Sequence, residues 1–166
     1  MEIPEDANQK GMEFAVLARH FCDLVAKADQ FDQNAFFKRV ASSLAELYYR
    51  ATQLDDKFVD SSPVGSDSAP WPSEHRAVLE RYFDDNDLYW VVFDPKLFPH
   101  GEAEPVIGSL ADDLNDIAAE LANGLSLLER EVPIAAVIWE WKLTFTFHWG
   151  RHLVQALAAI HARIYE

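Results

Sequence analysis

His148 and His152 stand one helical turn apart near the C-terminal end of the chain, the spacing at which two imidazoles can share one divalent ion. They belong to a longer polar series, Glu140, Thr144, His148, Arg151 and Gln155, at intervals of four, four, three and four residues. One helix face carries such a series. Trp139, Trp141, Phe145, Phe147 and Trp149 flank it. Two readings stay open: the stripe lines a pocket, or it is the solvated face of an amphipathic helix. Trp149 stands where the helix of a zinc peptidase has its glutamate, and no ExxH sequence suggests a di-metal carboxylate site. No metal or other cofactor is therefore expected, with His148 and His152 the sole candidates for an ion.

A second series is acidic. Asp112, Asp116 and Glu120 follow one another at four-residue steps, with Asp113 beside them, and like charges at that spacing weaken a helix unless a cation faces them. Asp112 and Asp113 also suit the positive end of a helix dipole. Either the series faces water, or Asp113 or Asp116 meets His148, Arg151 or His152 across a helix interface. A carboxylate buried against an imidazole serves equally as an acid/base pair or as a structural polar network. The candidate site is accordingly Asp113, Asp116, Glu120, Glu140, His148, Arg151 and His152, with Trp141, Phe145 and Trp149 as an aromatic lining.

Other chemistries lack their residues. There is no GxGxxG, no GxxxxGK and no GxSxG elbow. The lone Cys22 sits among Phe21, Leu24 and Val25, where cysteine behaves as a small hydrophobe. A net charge of −14 has the wrong sign for binding a phosphate backbone, so nucleic acid is excluded as a ligand. The acidic N-terminal stretch does not resemble a signal peptide, no apolar run is long enough to span a bilayer, and the chain reads as cytoplasmic with no membrane contact.

The elements that must position these residues read as helices. With 166 residues, about half hydrophobic, the chain suits one globular domain with a sizeable core. Phe14, Leu17, Phe21, Leu24 and Ala28 predict a first helix over 9–29, capped by Asn8, and Phe36 or Phe37, Val40, Leu44, Leu47 or Tyr48 and Ala51 predict a second. Residues 53–72 and 94–106 read as loops rich in Pro, Gly, Ser and Asp. A shorter third helix follows Ser73, and 88–93 (LYWVVF) reads as helical because no convincing second strand exists to pair with it. Ile107, Leu110, Leu114, Ile117, Leu121, Leu125 and Leu128 mark a fourth helix over about 109–130, with Ser109 as its cap. Pro133 suits the first turn of a last helix that runs to the end of the chain. Straight, that helix would span roughly 50 Å, more than a domain of roughly 40 Å diameter. It must bend, with Gly150 the obvious place, or protrude. The expectation is an all-α single-domain bundle of five or six helices.

SLADDLNDIAAEL at 109–121 and WEWKLTFTFHWGRHLVQALAAIHA at 139–162 resemble a bacterial family of small helical proteins catalogued as a domain of unknown function; FAVLARHFCDLV at 14–25 and FDP at 93–95 are similar to it too. The resemblance implies an all-helical bundle in a bacterial cytoplasm and supports helix at 143–147, where LTFTF alternates like a strand. It carries over no activity. Its emphasis falls on positions matching Asp113, Asp116, Trp149, Gly150, His152 and His161, for a site or for a structural knot between two helices.

Without a catalytic motif, the chain reads first as a non-enzymatic protein-interaction or regulatory module with an unidentified protein partner. The alternative is a small-molecule or metal-binding protein, conceivably an enzyme, that uses the Asp/His/Arg cluster between the fourth and last helices. Because Trp139, Phe147 and Leu157 make the last helix apolar on more than one face, a homodimer is also expected.

Overall fold

The computed structural model describes residues 5–54, 71–92 and 104–165. Most of the expected loop stretches 53–72 and 94–106 lies outside the described residues, as does FDP at 93–95. Helices α1 (Glu5–Ala26), α2 (Gln33–Thr52) and α3 (Glu74–Phe83) are followed by strands β1 (Leu88–Val91) and β2 (Val106–Ser109). Then come α4 (Leu110–Glu129), α5 (Ile134–Thr144), a π-helical segment (Phe145–Trp149) and α6 (Gly150–Tyr165). With α5 to α6 counted as one interrupted helix, the described residues form a bundle of five helices with a two-stranded ribbon, the all-α class that the periodicities predict.

Helix α4 packs against α1, α3, α5 and α6, and α2 packs against α1 and α6. The apolar faces read from the sequence supply this contact: Phe14, Phe21, Phe36, Val40, Leu44, Leu47, Leu114, Ile117, Leu121, Leu153 and Ile160 are all buried in one cluster. Cys22 is buried there too and donates its Sγ–H to the Ala118 carbonyl. Burial holds its thiol well above the usual range, at about 12, so it stays a protonated hydrophobe.

Three local expectations are corrected. Helix α1 begins at Glu5, so Asn8 is inside it rather than at its cap. Pro133 is the residue that caps α5, outside the first turn, with its carbonyl accepting from Ala136 and Val137. The third correction concerns 88–93. Residues 88–91 are a strand, antiparallel to 106–109, with Tyr89 opposite Gly108 and Trp90 opposite Ile107. The partner strand VIGS is short and contains a glycine, and Ile107 falls in phase with the α4 face that follows, which hid it. Ile107 is 63% exposed and Trp90 71%, while Tyr89 and Val91 turn inward. The alternation of a ribbon with one packed face explains the pattern.

The ribbon delivers the chain to the start of α4. There the Ser109 hydroxyl accepts from the Asp112 amide at 3.1 Å, as the cap reading predicts. It donates in turn to Asp87, whose carboxylate also accepts from the Ala111 amide at 2.7 Å. This double cap fixes the first turn of α4, where Asp112 and Asp113 sit.

The last helix is interrupted next to Gly150, over 145–149. The Gly150 amide donates to the Phe145 carbonyl, five residues back, the register of a π turn. A Cβ on Gly150 would collide with that same carbonyl, so only glycine permits the approach. The Thr144 and Thr146 hydroxyls donate to the carbonyls of Glu140 (3.1 Å) and Lys142 (2.9 Å) at the junction, a side-chain bond that commonly distorts helices. Of the residues that made this helix apolar all round, Trp139 and Leu157 are half-buried and Phe147 is 75% exposed.

Candidate functional site

Helix α4 presents Asp113, Asp116 and Glu120 toward the end of the π-helical segment and the start of α6, which present His148 and His152. The His148 Nδ1 lies 3.0 Å from Glu120 Oε1, and the His152 Nδ1 lies 2.7 Å from Asp113 Oδ1. A carboxylate only accepts, so each Nδ1 carries the proton and the lone pair of a neutral ring is on Nε2. Both Nε2 atoms turn toward one oxygen, Asp116 Oδ2, at 3.9 Å from His148 and 3.8 Å from His152. These separations are too long for hydrogen bonds. The two rings stand edge to face, 4.9 Å between centroids.

Asp116 is itself held. Its Oδ1 accepts from the Asn115 side-chain amide at 3.4 Å, and Asn115 Oδ1 accepts from the Trp71 indole at 3.1 Å. Behind His152, Asp113 is 4% exposed and accepts through Oδ2 from the Tyr89 hydroxyl. Each of the three groups that face one another thus has its own outer partner.

The electrostatics are those of crowded carboxylates. The hydrogen bond it donates to Asp113 raises His152 above its ordinary range, aided by the charges of Asp113, Asp116 and Asp112 and opposed by burial. Burial, with the neighbouring Asp116, raises Asp112, although Arg76 pairs with it at 2.6 Å. Burial raises Glu140 as well, and Glu120 adds to the shift. The phenol of Tyr89 is pushed far up by burial and by its bond to Asp113, and stays protonated.

Of the residues proposed from sequence, Asp113, Asp116, Glu120, His148 and His152 come together. Glu140 joins them at the edge through Glu120. Arg151 is exposed. Trp141 and Trp149 are core: the Trp141 indole donates to the Leu121 carbonyl at 3.3 Å, and that of Trp149 to Thr144 Oγ1 at 3.1 Å. Phe145 is half-buried between Tyr48 and Trp149. His161 lies against Tyr165 near the end of α6. Three participants were missed. Tyr89 lies in the strand misread as helix, and Asn115 and Trp71 carry no spacing signal. The alternation of LYWV, had it been matched to VIGS, would have turned Tyr89 toward α4.

An all-helical bundle with a ribbon over one helix end and an Asp/His cluster between two helices defines the class. The chain belongs to the family described as Domain of unknown function (DUF5063), whose model matches residues 5–166. No curated protein matches it. Among solved structures it is similar to protein BF1032 from Bacteroides fragilis, with 19% identity over 93% of this chain and 95% of that one and a TM-score of 0.72. That likeness shows the fold. Among the described residues, no helix is long and apolar enough to cross a membrane.

Proposed function

We propose that this protein binds a divalent transition-metal ion through Asp116 Oδ2, His148 Nε2 and His152 Nε2. The observation that carries the reading is the orientation of both imidazoles. Each donates its Nδ1–H to a separate carboxylate and turns the remaining lone pair on a shared aspartate oxygen that it does not hydrogen-bond. Outer carboxylates that orient ligating histidines in this way are a general feature of metal sites. The dimensions fit. Two atoms each roughly 2.1 Å from one ion lie at most about 4.2 Å apart, and both separations from Asp116 fall within that. The three ligand atoms lie within 4.8 Å of one another, so a shift of about 1 Å by the exposed His148 closes the set on an ion of ordinary bond length. Two imidazoles and one carboxylate suit zinc or ferrous iron, and three protein ligands leave positions for water or a small ligand.

Isothermal titration of the chelator-treated protein with Zn²⁺ should show one site of micromolar or tighter affinity. His148→Ala and Asp116→Ala should each weaken it by more than about tenfold, at least the loss that even outer-shell changes cause. No uptake at 100-fold excess, or uptake unchanged in both variants, overturns the reading.

The interaction-module reading keeps one observation in its favour. Leu88, Trp90 and Ile107 expose a contiguous apolar face on the outer side of the ribbon, and exposed apolar patches mark contact surfaces. If that face joins two copies, light scattering should give a dimer that Trp90→Ser returns to a monomer. A wild-type monomer at high micromolar concentration rejects self-association there.

A further inference from the structure

Strand β1 reaches the metal site through one side chain. We propose that Tyr89 is a positioning residue of that site, acting through Asp113 to fix the direction in which His152 Nε2 points; this rests on the metal-binding reading above. Asp113 has its two oxygens committed to different elements: Oδ2 to the Tyr89 hydroxyl on the ribbon, Oδ1 to His152 Nδ1 at 2.7 Å on α6. With one oxygen held, the carboxylate cannot turn about its own bond without breaking the phenol's hydrogen bond. The position of Oδ1 therefore sets the rotation of the imidazole about its Cβ–Cγ bond, and with it the lone pair offered to the ion.

The ribbon is shaped for this reach. Tyr89 lies opposite Gly108, and a Cβ on Gly108 would come within 2.6 Å of the phenol Cζ, closer than such atoms approach. The ring crosses the partner strand because nothing but hydrogen stands there. The start of β1 is tied to α6 a second time, by the Arg163 guanidinium, which donates to the carbonyls of Asn86 (2.8 Å) and Leu88 (2.9 Å). Ribbon and ligand-bearing helix are thus coupled at two points, one of them inside the metal site's own hydrogen-bond chain. Burial and the Asp113 carboxylate keep the phenol protonated, so it remains a donor.

Co²⁺ is the probe, since its visible absorption bands report on the geometry around the ion. Tyr89→Phe keeps the ring and deletes only the hydroxyl. It should bind Co²⁺ about tenfold more weakly, the low end of what outer-shell changes cause, with altered band positions or intensities and a melting temperature within a few degrees of wild type. Tyr82→Phe is the control: its hydroxyl donates to the Phe31 carbonyl at 3.0 Å, between α3 and the α1–α2 connection. It should leave Co²⁺ affinity and spectrum unchanged. Wild-type affinity and spectrum in Tyr89→Phe overturn the positioning role while leaving the metal site standing, and so does an equal loss in Tyr82→Phe. A wild-type protein without Co²⁺ bands overturns both.

Discussion

Replacing Asp113 by alanine should destabilise the metal-free protein by about 3 kcal/mol, because deletion of one partner of a buried ionic pair leaves the other uncompensated. For a chain of this length that corresponds to a fall in melting temperature of roughly 6–12 °C. Asp113 is nearly fully buried, and its loss strands both the His152 Nδ1–H and the Tyr89 hydroxyl. Asp116→Ala, by contrast, should change metal-free stability by no more than about 0.5 kcal/mol, as for a partly exposed group whose two imidazole partners stand 3.8 and 3.9 Å away, beyond hydrogen-bond reach. The pH dependence follows from the raised His152. A group whose folded pKa exceeds its unfolded value stabilises fully below the unfolded value of about 6.5, and the contribution fades as pH rises through the folded pKa. The cost of Asp113→Ala should therefore be larger at pH 6 than at pH 9. Urea melts that show less than about 0.5 kcal/mol at pH 6, or the opposite trend with pH, would remove Asp113 from its place at the centre of the network.

Trp149→Ala should cost about 4 kcal/mol, the range for deleting a fully buried large aromatic from a core. The side chain is wholly buried, tilts against Phe14 and Phe145, and donates its indole N–H to Thr144 Oγ1. Thr144→Val retains the shape and removes the acceptor, so it should cost only about 1–2 kcal/mol, the penalty for one unpaired buried donor. Thermal melts of the two variants separate ring packing from the hydrogen bond. Equal losses would mean that the indole N–H, not the ring, holds the junction. A loss under about 1 kcal/mol in Trp149→Ala would show that the site collapses around the cavity.

How far this was legible in the sequence differs between backbone and site. The faces of α2 and α4 were readable because their apolar residues keep the helical period and land in the core, and Ser109 was readable as a cap because it stands three residues before Asp112. The Asp/His cluster was readable only as two faces. Four-residue spacing places Asp112, Asp116 and Glu120 on one side of α4, but the buried carboxylate is Asp113, which leaves that row. It accepts from the hydroxyl of Tyr89, a residue 24 positions away, and no local period encodes a contact at that separation. The ribbon failed for the same reason: a strand is defined by its partner, and VIGS lies 15 residues after the end of LYWV.

The π turn has a rotational consequence. Successive residues of an α-helix advance by about 100°, so Trp141 and Trp149, eight apart, would point about 80° away from each other in an unbroken helix. A turn closed by bonds five residues back holds about 4.4 residues, and five residues at that pace lag by about 90°. The lag cancels the drift, and both tryptophans reach the same core, against the same Phe14 ring. The same lag explains why Val137, Trp141, Phe145, Trp149 and Leu153 recur at every fourth position, a beat too slow for an α-helix alone. The pace of this segment therefore sets the direction of everything that follows it. Were the five residues 145–149 to revert to the α-helical pace with none removed, α6 would swing by about 90°, carrying His152 away from Asp113 while every side chain of the site remained in the gene.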